Sequence, residues 1–285
     1  MKLKLIDKTK QVTDNPQILS GSTLAIFDPH HNFTSSGGAT FDFIEHSTKY
    51  TDQLSGFDFF IPVTGPRDSF RKTVIRLPLR TTTGAAKSLI KKDAVEPSKI
   101  RQLFDDFIKE EIRIVLLFLT HISSIEIYEV DDQDIITCLA KAELVKRAPD
   151  AIDMSGANIA TSWCSVKVTT ETSVGVSQSW RVFHASYSDS DAAERISNHL
   201  GYDVGPVLQQ QKLLPKVGIA MPLTSSAQAG RLYTYLPLPL STGFPCHIHG
   251  LFALTPDRQH LRNGEETGVV EGVDRFVDLA HMRPI

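Results

Sequence analysis

The sequence has few cysteines, no long apolar run and no marked excess of charge of either sign. Its three cysteines, Cys138, Cys164 and Cys246, are far apart and form no Cys-x-x-Cys pair, so neither a zinc knuckle nor a disulfide framework is indicated. We therefore expect a reduced, intracellular setting. A formal net charge of −3 over 285 residues does not provide the basic footprint that nucleic-acid-binding proteins carry.

The sequence also lacks the signals of secretion and of membrane insertion. The N-terminal segment MKLKLIDKTKQ is charged and has no apolar core, so we expect no signal peptide. The longest apolar run of helical character, residues 114–119, is far shorter than the ~18 residues that span a bilayer. These absences predict a cytoplasmic protein with no membrane partner.

Hydrophobic periodicity predicts a mixed α/β (α+β) fold. Pro97 and Ser98 begin a helix whose apolar residues recur at the spacing of one core-facing stripe, and the apolar run that follows continues it for a turn or two. Strands are predicted by alternation and by β-branched and aromatic content. Their segments are residues 23–27, 124–130, 135–145, 162–170, 177–186 and 217–222.

Two segments before the helix carry further expectations. Residues 69–80 alternate as a half-buried strand, and we expect the phase that contains Arg71, Thr73, Ile75, Leu77 and Leu79 to face inward. Residues 32–58 are rich in serine, glycine and polar residues, and we interpret them as a long loop. A domain boundary is predicted between Gly84 and Glu96, where the composition changes.

Residues 231–262 predict two strands, 232–240 and 247–254, joined by a turn at Ser241–Pro245 and folded back on each other. Pro237 and Pro239 each remove a backbone donor, which predicts an edge strand. The polar loop that follows presents Asp257 and Arg258 at a strand end. The Arg258 guanidinium suits phosphate, or it forms a surface salt bridge with Asp257.

Two other kinds of chemistry are open to these residues. His247 and His249 share one face of a strand and, with Asp28 and His30, could form a zinc or iron site. Cys246 and His247 could form a nucleophile and base, but neighbours on a strand point to opposite faces. The phosphate-binding patterns G-x-x-x-x-G-K-[ST] and G-x-G-x-x-G are absent.

Four motifs in order resemble those of sacsin repeats, whose class is similar to heat shock protein 90 chaperones. They are SGSTLAIFDPH at 20–30, KTVIRLPLRT at 72–81, the LLFL to IEI run at 116–127, and the LPLP, TGFP and HIHGLFALTPDR run at 236–258. The resemblance implies a nucleotide-binding N-domain followed by a middle domain. Residues 1–90 would then be the second half of the N-domain, residues 91–262 the middle-domain-like unit, and residues 263–285 a divergent tail.

The family's acidic catalytic box, magnesium-binding asparagine and glycine-rich lid do not occur in this sequence. The resemblance therefore implies no complete ATPase site and no catalytic residue, with ATP and Mg²⁺ bound only if the missing half is supplied. It implies nucleotide contacts at Thr73 and Arg258. The remaining motif positions are Asp28, Pro29, His30, Arg76, Arg80 and Asp257.

These observations predict a chaperone-related protein that binds client or co-chaperone polypeptides and is not an enzyme. The alternative is a metal-dependent hydrolase that uses His247, His249, Asp28 and His30.

Overall fold

The computed structural model describes most of the chain between residues 12 and 261. The described ranges are 12–31, 35–42, 55–61, 72–146, 150–154, 157–171, 173–186, 216–224, 229–252, 254–255 and 260–261, with single positions between 193 and 206. They form two compact units, residues 1–105 and residues 106–285. Within the described ranges no helix is long and apolar enough to cross a membrane. The fold is mixed, with two sheets, many strands and few helices, and this confirms the predicted α+β class.

The first unit contains a four-stranded antiparallel sheet in the order β3-β2-β1-β4. Its strands are β1 (Gln17–Ser20), β2 (Thr23–Phe27), β3 (Gly38–Asp42) and β4 (Thr73–Arg76). Gly21 has a φ of 56° in the tight turn between β1 and β2, a conformation that glycine adopts without strain. The core on one side of this sheet is formed by Leu19, Leu24, Phe57 and Ile61, which are all buried.

Two expectations about the first unit are wrong. The segment 32–58 is not only a loop, because it contains β3 and the start of a 3₁₀ turn at Asp58–Phe60. Of the strand predicted at 69–80, the structure describes β4 alone, and the side chains that face inward belong to the phase that we expected to face outward. Val74 packs on the core, whereas Ile75 is 45% exposed and Thr73 is also exposed.

Two helices follow the first sheet. Helix α1 (Thr82–Lys87) was not predicted; it starts at Thr81, whose hydroxyl accepts a hydrogen bond from the Gly84 N–H. Helix α2 (Pro97–Glu110) confirms the predicted helix and contains the division between the two units. Its apolar stripe is less buried than expected, since no residue of α2 is fully buried and Leu103 is 63% exposed.

The second unit contains a nine-stranded sheet. The order is β12-β11-β13-β10-β9-β8-β6-β5, and β7 pairs with β8 outside this path. The strands are β5 (Ser124–Val130), β6 (Ile136–Lys146), β7 (Asp150–Met154), β8 (Ala157–Thr170), β9 (Ser173–Ser186), β10 (Lys216–Pro222), β11 (Arg231–Thr234), β12 (Leu236–Ser241) and β13 (His247–Gly250). Five of the predicted strands are therefore confirmed within a few residues.

One face of this sheet is covered by the segment that follows α2. The backbone of residues 111–118 forms consecutive turns, as in the bond from the Val115 N–H to the Glu111 carbonyl. Ile112 and Leu116 are fully buried, and the Phe118 ring lies against the rings of Tyr233 and His249. This confirms the predicted buried continuation of the helix.

The strands near the C-terminal end are paired differently from the prediction. The apolar run 232–240 is broken at Tyr235, whose φ is 64°, and β11 and β12 form the antiparallel pair. Strand β13 lies parallel to β11 instead of folding back on β12. The proline-containing β12 is at the edge of the sheet, as predicted, because Pro237 and Pro239 cannot donate to a further strand.

Candidate functional site

A buried ion pair organises the polar residues of the first unit. The Arg80 Nη2 atom lies 2.7 Å from Asp14 Oδ1, and Arg80 Nε donates to the same oxygen at 2.8 Å. The Arg80 side chain is completely buried, so the Asp14 carboxylate compensates a charge that is removed from water. Ser88 Oγ donates to this carboxylate at 3.1 Å, and His30 Nε2 lies 3.6 Å from it.

The carboxyl group of Asp14 is held in its ionised form by this network. Burial alone raises its pKa, but hydrogen bonds and charge attraction from Arg80, with hydrogen bonds from Ser88 and His30, lower the pKa below its ordinary value. The backbone of Arg80 also forms hydrogen bonds with two other segments of the first unit. The Arg80 N–H donates to the Val12 carbonyl at 3.0 Å, and the Arg80 carbonyl accepts from Val95 at 2.8 Å.

The Asp-Pro-His motif positions one member of this network. Asp28 is fully buried; its N–H donates to the Gly37 carbonyl at 2.9 Å, and its carbonyl accepts from the His31 N–H at 3.0 Å. Pro29 restricts Asp28 to an extended conformation at the end of β2. The chain then turns so that the largely buried His30 ring reaches Asp14 and Ser88. The motif therefore has a structural role in the described network.

The two remaining described motif residues lie on β4. Thr73 is exposed, and its hydroxyl is 2.9 Å from the hydroxyl of Ser20 on β1. Arg76 Nη1 donates to Gln17 Oε1 at 3.1 Å, and its guanidinium lies so close to Gly56 that a Cβ there would approach it to 2.9 Å. Asp257 and Arg258 lie outside the described residues. Thr73 as a nucleotide contact therefore stays a prediction.

His247 and His249 lie side by side on one face of β13, as the spacing predicts, and both are buried. The Nδ1 atom of His247 accepts the Arg231 N–H at 3.0 Å, and the Nδ1 atom of His249 accepts the Tyr235 N–H at 3.3 Å. Their rings lie among aromatic rings, with the Trp180 ring 5.1 Å from that of His247.

Both histidines are poor bases in this setting. Burial, with a smaller effect of the positive charge of Arg231, lowers the pKa of His247 from 6.5 to about 4. Burial also lowers the pKa of His249, against a smaller opposing effect of the Tyr233 carbonyl, which would accept a hydrogen bond from the protonated ring. Among the described residues, no group of three or more His, Cys, Asp or Glu side chains could hold a metal ion. The metal-dependent hydrolase is therefore not supported, and the two histidines brace β11 against β13.

Cys246 and His247 do not act as a nucleophile and base. Burial raises the pKa of the Cys246 thiol and lowers that of His247, so the thiol stays protonated and the imidazole binds protons weakly. The Nδ1 atom of His247 is already used by the Arg231 N–H. Cys246 itself lies just before β13 and not within the strand.

Strand β10 has an unusual division between its two faces. Its buried side carries the small residues Gly218 and Ala220, and a Cβ on Gly218 would lie 2.9 Å from the Phe118 ring. Its other side carries large apolar residues that remain exposed to solvent. They are Val217 at 49%, Ile219 at 40% and Met221 at 40% exposure, followed by Leu223 at 47%.

This exposed side continues onto the neighbouring strands. The register pairs Ile219 with Phe183 on β9, and it aligns Met221 with Arg181 on β9 and Trp163 on β8. On the other side of β10, Ile219 pairs with Ile248 of β13. We name this surface the apolar face and define it by Trp163, Arg181, Phe183, Val217, Ile219, Met221, Leu223 and Ile248.

Comparisons with known proteins identify the chain's relatives. Residues 10–137 match the family model described as Sacsin domain. The chain is also 26% identical over 286 residues to human Sacsin, an alignment that covers 88% of this chain. The chain is sacsin-like. This confirms the resemblance that the four sequence motifs indicated.

The sacsin-like chain spans only 6% of the length of human Sacsin. The first three motifs fall inside the matched residues 10–137. In the structure, the third of them covers the buried side of the second sheet, at Leu116 and Phe118.

Several structurally important residues of the sacsin-like chain were not identified from the sequence. Asp14 and Ser88 lie in segments of ordinary polar composition, and only the fold brings them to Arg80, from which Asp14 is separated by 66 positions. Arg181 had one available signal, since it lies between Trp180 and Phe183 in a strand that alternates clearly. However, an arginine on the polar side of a strand is common, and the Trp163 ring that Arg181 contacts belongs to another strand, so the sequence of β9 does not reveal the contact.

Proposed function

We propose that this sacsin-like chain is a chaperone-related protein of the cytoplasm that acts by binding client or partner polypeptides. The observation that supports the proposal is the apolar face of the second sheet. Large contiguous apolar surfaces on folded proteins mark interaction sites, whereas single exposed apolar residues do not. Here four consecutive outward positions, from Val217 to Leu223, are apolar and at least 40% exposed.

The difference between the two sides of β10, with small residues on the buried side and large apolar residues on the other, explains why this surface is apolar and exposed. The buried side of the strand accommodates Phe118 only because Gly218 has no side chain, so the core takes small residues from β10. The large side chains of the same strand then face outward by alternation. A polypeptide that covers Ile219 and Met221 would remove apolar area from water, at roughly 25 cal/mol for each Å².

The client that fits this surface is a polypeptide with exposed apolar side chains, such as an unfolded or partly folded chain. An open sheet face accepts side chains along its length with little selection for size. Nucleic acid is a poor fit, because the net charge is −3 and this surface is mainly apolar.

The experiment tests whether the apolar face prevents aggregation of a model client. Insulin is reduced in the presence of the full chain, and light scattering by its aggregating chains is followed over time. The unsubstituted protein is expected to suppress the scattering in proportion to its concentration. The double variant Ile219→Asp, Met221→Asp is expected to lose this effect, because two carboxylates on the apolar face oppose burial of a client.

A matched control is Val176→Asp on β9. Val176 is 44% exposed, close to the exposure of Ile219 and Met221, but it alternates onto the opposite side of the sheet from Arg181. It should suppress aggregation as well as the unsubstituted chain. Equal suppression by the double variant and by the control would contradict the proposal, provided that circular dichroism shows both to be folded.

We also propose that Thr73 and Arg258 contact nucleotide only when the missing half of the ATP site is supplied. The resemblance is the support for this part. Thr73 is exposed on β4, so its hydroxyl is accessible to a ligand bound against that strand. ATP and Mg²⁺ are accordingly not cofactors of the chain by itself.

A further inference from the structure

Arg181 is held in a fixed position within the apolar face. Its Nε donates to Thr161 Oγ1 at 3.2 Å, and its guanidinium carbon lies 4.2 Å from the centroid of the Trp163 ring. The centroid of the Phe183 ring lies 5.5 Å from the same carbon. One hydrogen bond and two aromatic rings therefore orient the guanidinium before any partner arrives.

The positive charge of Arg181 has no counter-ion among the residues that the structure describes. Its contacts there are Thr161, Trp163 and Phe183, which are all neutral. The side chain is half-buried, and the outward positions of β9 and β10 around it are serine, alanine or apolar. A guanidinium stays charged at every accessible pH and presents a planar fork of donors that matches a carboxylate.

The spacing around Arg181 fits an extended chain. Met221 is its register neighbour on β10, Phe183 is two residues further along β9, and Ile219 is the neighbour of Phe183. Alternate side chains of an extended peptide are about 7 Å apart. An acidic side chain bound to Arg181 would therefore place the apolar side chains two residues before and after it over this surface.

We infer that the apolar face selects extended polypeptide segments in which one acidic side chain lies between apolar residues at positions i−2 and i+2, and that this acidic side chain binds the terminal nitrogens of Arg181. The inference rests on the proposed function and adds the class of client. Charge complementarity supports this occupant, because the apolar face offers one oriented cation and no anion among its described residues.

The test uses synthetic peptides and the full chain in isothermal titration calorimetry. The acetylated and amidated peptide Gly-Ser-Leu-Thr-Glu-Thr-Leu-Ser-Gly is compared with the peptide that has Gln in place of Glu. For the unsubstituted protein the Glu peptide is expected to bind about tenfold more tightly, because a hydrogen bond between two charged groups is stronger than one to an amide. This preference should decrease as salt is added.

The variant Arg181→Gln is expected to abolish the preference for Glu over Gln. The control Lys167→Gln removes a charge from the same side of the sheet, where Lys167 pairs with Ser177 away from the aromatic rings. It should leave the preference unchanged. Because the preference is a ratio within one protein, it remains measurable if Arg181→Gln also lowers stability.

Three results would overturn the inference. The two peptides could bind the unsubstituted chain equally, the preference could survive in Arg181→Gln, or inorganic phosphate alone could displace the Glu peptide at equal concentration, which would indicate a general anion site. None of these results contradicts the proposed function. The proposed function is contradicted by a different result, namely that the double variant Ile219→Asp, Met221→Asp still suppresses insulin aggregation.

Discussion

The Nδ1 atom of His247 accepts a hydrogen bond from the backbone N–H of Arg231 at 3.0 Å. This bond requires a lone pair on Nδ1, so the imidazole is neutral and its proton is on Nε2. Protonation of the ring would place a second hydrogen against the backbone N–H of a neighbouring strand. The bond between β11 and β13 therefore depends on pH.

The first prediction is a loss of stability of the second unit in mild acid. The pKa of His247 is about 4 in the folded chain and 6.5 as an ordinary value, so the unfolded state binds the proton first. Stability is complete above pH 6.5 and is lost as the pH falls from 6.5 toward 4. Between pH 7.5 and pH 5 the free energy of unfolding should fall by about 2 kcal/mol. Urea unfolding followed by tryptophan fluorescence measures this change, since the Trp180 ring lies beside His247.

The control for this prediction is His247→Asn, whose side-chain oxygen can accept the same backbone hydrogen bond and does not titrate. The variant should be less stable at pH 7.5, because it loses ring contacts with Trp180 and Tyr233. Its stability should change less between the two pH values. A pH dependence as steep as that of the unsubstituted chain would show that His247 is not the group responsible.

The second prediction concerns the ion pair of Asp14 and Arg80. Asp14→Asn should destabilise the first unit by about 3 kcal/mol, because the fully buried Arg80 guanidinium loses the ionised carboxylate that lies 2.7 Å from it. Asp93→Asn is the comparison. Its carboxylate lies 3.7 Å from Lys91 Nζ with both side chains exposed, and it should cost less than about 1 kcal/mol. Hydrogen exchange of the Arg80 and Val95 amides reports the opening of this region, and equal exchange in both variants would refute the prediction.

The third prediction concerns Gly218. A Cβ at this position would lie 2.9 Å and 3.1 Å from two atoms of the Phe118 ring, which itself lies against Tyr233 and His249. Gly218→Ala should therefore lower the free energy of unfolding by about 1–3 kcal/mol through overpacking. Val217→Ala, on the exposed side of the same strand, should change it little. Thermal unfolding of both variants tests this, and an unchanged midpoint for Gly218→Ala would contradict the described packing.

The fourth prediction concerns ATP. The acidic catalytic box, the magnesium-binding asparagine and the glycine-rich lid are absent from the sequence, so the purified chain should show only background ATP turnover with Mg²⁺. A coupled phosphate-release assay is sufficient. Turnover well above background that Arg258→Ala abolishes would mean that the chain is an ATPase.

The sequence predicted those parts of the fold that depend on residues close together in the chain. Pro237 and Pro239 place β12 at a sheet edge regardless of what lies next to it, and Pro97 marks the start of α2. Alternation failed on β4, where each phase carries both apolar residues and arginines, so the choice of inward phase depended on packing. The decisive fact there is that Val74 meets the core formed with Phe57, which is distant in sequence.

The site was harder to predict for the same reason. The pairing of Asp14 with Arg80 joins residues 66 positions apart, and no pattern within either segment indicates it. The spacing of His247 and His249 correctly placed both rings on one face, but the same spacing serves a metal site and a structural brace equally well. The hydrogen bonds from the backbone N–H groups of Arg231 and Tyr235 to the two rings show that the histidines are a structural brace. The Tyr235 N–H reaches His249 because the strand is interrupted at Tyr235.

Protection of Met221 by a bound client tests the central claim most directly. Met221 is 40% exposed in the middle of the apolar face, and peroxide oxidises the thioethers of accessible methionines at rates that mass spectrometry can follow. When reduced insulin chains are bound, oxidation of Met221 should slow in proportion to the fraction of protein occupied. An oxidation rate that stays the same at saturating client would contradict binding through the apolar face.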